Sequence, residues 1–144
     1  MSEPKHAAQV VKYTPPAELK QLKQFVRLCN TDISLVAVQI LGEGGENNLH
    51  SHSAMDGFWF VLEGRARFYG EEDKLIGDLG KYEGVMVPRG VPYWFESAGD
   101  VPLQILQVES KAQNIAEKRT DFTPLKASAA PFIGASGTIE GPRT

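Results

Sequence analysis

Glycine or proline recurs every few residues between positions 42 and 99, and the runs between and beside these breaks are short and rich in Val, Ile, Phe, Tyr and Trp. The apolar runs occupy residues 33–41, 58–64, 66–70, 84–88, 93–97 and 102–110. Strand-sized runs separated by turn residues over about 80 residues indicate an all-β barrel or sandwich. No helix-length crossover separates them, which argues against a parallel α/β sheet.

The two ends read differently. Thr14, Pro15 and Pro16 precede AELKQLKQF, with Leu19, Leu22 and Val26 at helical spacing, so a short capped helix followed by a strand is the expectation there. Residues 24–29 can instead pair, through a turn at Asn30, Thr31 and Asp32, with the run that follows. After residue 110 the chain turns polar, then small and turn-rich, without the large apolar residues for a core of its own. The organisation read from the sequence is an N-terminal extension and first strand over 1–32, a barrel over 33–110 and an irregular C-terminal extension over 111–144.

A formal charge of −3 with no basic stripe argues against nucleic acid as a partner. No run approaches the ~20 apolar residues of a membrane helix, and the N-terminus lacks an apolar signal core, so no membrane partner is expected. Cys29 is the sole cysteine, which leaves no intrachain disulfide and fits a reducing, cytoplasmic setting.

The chemistry concentrates in residues 44–64, where His50 and His52 stand two apart. In a strand, residues i and i+2 point to one face, so both imidazoles project into the same space. Two imidazoles aimed together are half of a metal site or the start of an acid–base pair. Arg65 and Arg67, at strand spacing after a turn, are expected to face solvent, and Cys29 to be an inert thiol.

Gly44, His50, His52 and Gly64 fit the first motif of the cupin superfamily in register, and Pro88, Arg89 and Gly90 fit the Pro-x-Gly of its second. Over residues 33–110 the sequence resembles that superfamily, whose members are antiparallel jelly-roll β-barrels of the RmlC-like type. A typical cupin holds a divalent metal with three histidines and a glutamate. In this sequence the glutamate position is Gly57, the third histidine is Tyr93, the asparagine is Ser97 and the leading glycine of the second motif is Tyr82. The resemblance therefore implies a degenerate metal motif of His50 and His52, completed by Asp56 only if a bulge re-aims that side chain inward. The expected cofactor is none, or a weakly held divalent ion such as zinc, nickel, manganese or iron.

The resemblance also implies which side chains look into the barrel. Tyr93, Phe95 and Ser97 share a face, and His50 and His52 look in from a neighbouring strand. His50, His52 and Tyr93 are the candidate catalytic residues; Phe95, Ser97, Trp59 and Phe60 are candidate walls for a small-molecule ligand. The expected function is a small metabolite-binding protein using His/Tyr acid–base chemistry, of the isomerase, dehydratase, lyase or cyclase kind. The alternatives are a dioxygenase-like enzyme with a His50/His52/Asp56 metal site and a non-catalytic binding module. Cupins of this size commonly pair, so a homodimer with residues within 10–29 at its interface is expected.

Overall fold

The computed structural model describes residues 7–126, together with the backbone of two short strands beyond them. The strands in chain order are β1 (Lys23–Asn30), β2 (Ser34–Leu41), β3 (His50–His52), β4 (Met55–Glu63), β5 (Ala66–Tyr69), β6 (Leu75–Leu79), β7 (Gly84–Val87), β8 (Trp94–Ser97), β9 (Leu103–Lys111) and β10 (Arg119–Asp121). A last antiparallel pair follows, β11 (Phe132–Ile133) with β12 (Ile139–Glu140). All pairings are antiparallel. One layer has the order β1-β2-β9-β4-β7, and the opposing strands are β10-β3 and β6-β5-β8. A bridge between His50 and Tyr93, with reciprocal backbone bonds of 2.9 and 3.1 Å, joins β3 to the start of β8. The second layer thus runs β10-β3-β8-β5-β6, a jelly roll whose neighbours in space are mostly distant in sequence.

Alternation along β9 shows how the sequence builds the interior. Leu103, Ile105, Gln107 and Glu109 are buried, while Gln104, Leu106 and Val108 between them are partly exposed. The buried face begins apolar and ends polar, and the interior divides the same way. Leu41, Trp59, Val61, Ala66, Phe68, Val87, Tyr93, Phe95, Leu103 and Ile105 form one core cluster. Toward the other end lie Gln39 and Gln107, the amide of Gln39 donating to Gln107 Oε1 at 2.8 Å, and the buried Glu109. Strand β3 delivers its histidines to this polar end.

Residues 14–22 form no helix. The segment runs in bends to β1 and lays Tyr13 and Leu19 on Val26, Val38 and Ile40, the outer face of the larger sheet. Tyr13 donates its hydroxyl to Gln104 Oε1 at 2.9 Å. So few residues before a strand are too short for an isolated helix to hold, and an extended arm covers more of the apolar sheet. The alternative pairing of residues 24–29 is the one adopted, as β1 on β2. Close approach of this arm also explains Gly45, where a Cβ would stand 2.2 Å from the carbonyl oxygen of Leu22.

β6 and β10 are strands that no feature of the sequence marked. β6 is largely exposed and follows a turn in which Glu72 and Asp73 both have positive φ. β10 comes from the polar extension and pairs directly with the histidine strand, Arg119 opposite His52 and Asp121 opposite His50.

Candidate functional site

Because β3 is flanked by β10 on one side and by Tyr93 on the other, its side chains are fixed from both edges. The His50 and His52 rings meet edge to face, with centroids 5.1 Å apart, and Tyr93 lies 4.6 Å from His50. The i, i+2 spacing and the second motif thus bring the three candidate catalytic residues into one cluster.

Each imidazole is held from behind. His50 Nδ1 lies 2.7 Å from the carbonyl oxygen of Asn48, and His52 Nδ1 lies 2.7 Å from Glu117 Oε2. Both partners accept, so both Nδ1 atoms donate, and in the neutral ring Nε2 is left as a lone pair. Both Nε2 atoms are buried and have no hydrogen-bond partner. Burial, reinforced by the nearby Arg119 guanidinium, lowers the His50 pKa to about 3, so His50 is neutral at physiological pH. Tyr93 is 4 % exposed, and burial followed by the charge of Glu109 raises its hydroxyl well above the ordinary 10. It stays protonated and able to donate.

Behind the imidazoles the C-terminal extension forms a polar buttress. Glu117 Oε1 accepts from the Ala54 amide at 2.9 Å while its other oxygen holds His52. Arg119 donates to Asn48 Oδ1 at 2.8 Å and to Asp121 at 2.9 Å, and Asn48 in turn donates to Asp121 and to the Thr123 carbonyl. Glu117 and Arg119 carried no sequence signal, since nothing in a polar tail marks the two residues that return to a distant strand. Glu109 was also missed, though a signal exists for it: it continues the inward alternation of β9, and it stands opposite Gly57 in the β4–β9 register.

The void at this cluster is small, about 10 Å³, and is lined by His52, Met55, Gly57, Val87, Pro88, Val91, Tyr93 and Glu109. That is roughly room for one water-sized group. Pro88 and Val91 are the exposed members and mark its mouth.

The other sequence candidates are distributed more widely. Trp59 is fully buried and packs between Tyr93 and Phe95, with centroids at 6.0 and 4.9 Å. Phe95 stacks on Phe68 at 4.7 Å in the apolar core. Ser97 lines a separate open cleft with Gly42, Arg67 and Asp100. Phe60 lies on the outer face of β4, stacked between Phe58 and Tyr82, because odd positions of that strand turn inward. Arg65 and Arg67 are exposed and share Asp78. Cys29 is a free, half-buried thiol.

The donor set decides how far a metal fits. The two imidazoles are oriented as ligands are, Nδ1 donating backward and Nε2 bare. A third ligand does not join them. Asp56 is turned to Arg89, accepting from its amide at 2.8 Å and its guanidinium at 3.2–3.3 Å. Gly57 has no side chain, and Tyr93 is held as a neutral phenol. Among the described residues no group of three or more His, Cys, Asp or Glu is placed to hold a metal ion. The residues fit half a metal shell and not a whole one. Among the same residues, no helix is long and apolar enough to cross a membrane.

Comparison with known proteins agrees with this architecture. An uncharacterized protein of Methanocaldococcus jannaschii, MJ1618, is 30% identical over 71 residues, which is 49% of this chain and 55% of that protein, so the match spans only about half its length. A crystal structure of an uncharacterized double-stranded β-helix protein from Klebsiella pneumoniae superposes with a TM-score of 0.65 at 16% identity, covering 84% of this chain and 98% of that one. An RmlC-like cupin from Desulfovibrio desulfuricans superposes with a TM-score of 0.57 at 17% identity, covering 70% and 97%. At such identities the structural matches speak for the fold alone. The family model described as a cupin domain matches residues 37–109, half the chain, and takes in both histidines, Gly57 and Tyr93. By that match and by the jelly roll just described, this chain belongs to the cupin family.

Proposed function

We propose that this cupin binds a small metabolite with one functional group seated among His50, His52 and Tyr93, and moves a proton on it. The observation that carries the reading is the His52–Glu117 pair. A carboxylate 2.7 Å from Nδ1 fixes the ring and stabilises the charge that forms if Nε2 takes a proton. His52 is then the base, with its Nε2 buried and unpartnered. Tyr93 is the acid, because burial keeps its hydroxyl protonated. His50 binds rather than titrates; its Nε2 accepts a hydrogen bond and, with a pKa near 3, rarely takes the proton.

That division of labour suits abstraction of a proton beside a carbonyl or loss of a hydroxyl, the chemistry of isomerases, dehydratases, lyases and cyclases. The void admits one polar group, so the remainder of a substrate extends past Pro88 and Val91.

A thermal-shift screen of small hydroxy and keto acids identifies the ligand, since a ligand that binds only the folded barrel raises its melting temperature. With that ligand, Tyr93→Phe and His52→Ala are expected to cut turnover by about 10²–10⁴-fold while the fold persists. Full turnover in both variants, or a ligand that binds equally well to both, removes the proposal.

A further inference from the structure

Trp59 presents a feature of the interior that the acid–base reading leaves unused. Its indole is fully buried, yet Nε1–H has no hydrogen-bond partner. A buried indole N–H ordinarily finds an acceptor, and leaving it bare is unfavourable. The N–H stands beside Gly57, where a Cβ would come within 3.2 Å of Nε1. Gly57 borders the void that His52 and Tyr93 also line. Any other residue at 57 would crowd the indole nitrogen; glycine leaves it open.

Two polar atoms at the Gly57 side of this void therefore lack partners: the Nε1–H donor of Trp59, beside Gly57, and the acceptor Nε2 of His52, a residue that lines the void. Their chemistry selects the occupant. A cation would satisfy the imidazole lone pair of His52 but gains nothing from the N–H donor beside Gly57. A carboxylate or halide would satisfy the N–H but only accepts, and would face the lone pair of His52. A group with one O–H satisfies both kinds, accepting from Trp59 and donating to an imidazole. The volume, about 10 Å³, matches one such group.

We infer that the group seated at Gly57 is a hydroxyl of the ligand, held by Trp59 Nε1–H as donor and His52 Nε2 as acceptor, so that the ligand class is an alcohol or hydroxy acid rather than a metal-chelating anion. The inference rests on the proposed binding role of His52 and adds Trp59 and Gly57 as the residues that choose the bound group. In metal-holding cupins this position carries a carboxylate; here a donor leans into the gap, which reverses the polarity of what can bind.

The test uses nitrogen-15 NMR on the full chain with three probes: methanol, sodium acetate and zinc chloride. Two indole resonances are expected, and Trp94, whose Nε1 already donates to Asp73 at 2.9 Å, is the internal control. Methanol should shift the Trp59 N–H and the His52 Nε2 with one saturation curve and leave Trp94 unmoved. Gly57→Ala, which crowds the N–H without deleting it, and Trp59→Phe should each weaken the methanol response at His52 by about tenfold or more, the worth of one hydrogen bond. Acetate saturating the Trp59 signal more tightly than methanol overturns the hydroxyl assignment. A methanol response at His52 with none at Trp59 overturns the role of Trp59 while leaving the binding site standing. No methanol response at either residue overturns both.

Discussion

Glu117 stands 2.7 Å behind His52 although the two are 65 residues apart in the chain, and the same carboxylate accepts the Ala54 amide. It ties the end of the histidine strand to the loop after β9. A hydrogen bond to a charged group is worth about 1.5–3 kcal/mol net, and Glu117 makes two in a half-buried setting. Glu117→Ala is expected to lower stability by about 2 kcal/mol, or roughly 4–8 °C in melting temperature. Glu117→Gln should keep much of that stability yet lose the electrostatic support of His52. Calorimetry with turnover measurement separates the two effects.

Lys23 gives a pH dependence of defined sign. Its ammonium is wholly buried, and burial, with Arg119 next, lowers its pKa from 10.5 to about 7. Between those values the unfolded chain holds the proton and the folded chain does not, so stability rises with pH. Below pH 7 both states are protonated and the dependence disappears. The gain is at most about 1.4 kcal/mol per pH unit, and melting scans from pH 7 to 9.5 should show it. Lys23→Met should flatten that slope. Stopping at 9.5 avoids the opposing effect of Tyr93, whose raised pKa makes the folded state lose stability once the unfolded tyrosine ionises near 10.

With two imidazoles and no third ligand, any divalent ion is expected to leave easily. Dialysis against a chelator should change the melting temperature by less than about 1 °C, because a weakly held ion adds little linkage energy. Gly57→Glu should reverse this, tightening zinc binding by placing a carboxylate beside His52, at some cost in packing against Trp59 Nε1. Isothermal titration with zinc on both proteins checks the pair of outcomes.

The homodimer expected from the family resemblance is tested by light scattering. A mass of about twice 15.8 kDa at micromolar concentration supports it, and a mass near 15.8 kDa removes it. β1 is an outer strand of the five-stranded sheet, and most of it falls within residues 10–29, the segment expected at the interface.

Much of the barrel was legible because burial alternates with period two. The runs at 33–41, 58–64, 66–70, 84–88, 93–97 and 102–110 overlap β2, β4, β5, β7, β8 and β9. β6 escaped because its residues are mostly exposed and its sequence, LIGDL, is broken by glycine. The arm at 14–22 misled because leucines spaced for a helix can equally dot an extended chain lying on an apolar sheet. The convergence of His50, His52 and Tyr93 was readable from spacing and motif register. Glu117 and Arg119 were not, since their partners are set by where the tail returns, and a polar tail carries no periodicity that records it.

The family match ends at residue 109, whereas the carboxylate that orients His52 and the guanidinium that adds to burial in lowering the His50 pKa both come from beyond it. The shared barrel therefore supplies the imidazoles, and the extension beyond it supplies the carboxylate that orients one and a charge that acts on the other. Relatives with the same His-x-His and a different tail would carry the same side chains without these two partners. A fragment cut back to the matched domain would keep its histidines and lose both partners. Exchanging tails between cupins, with the barrel untouched, is a route by which this site could acquire a new reaction.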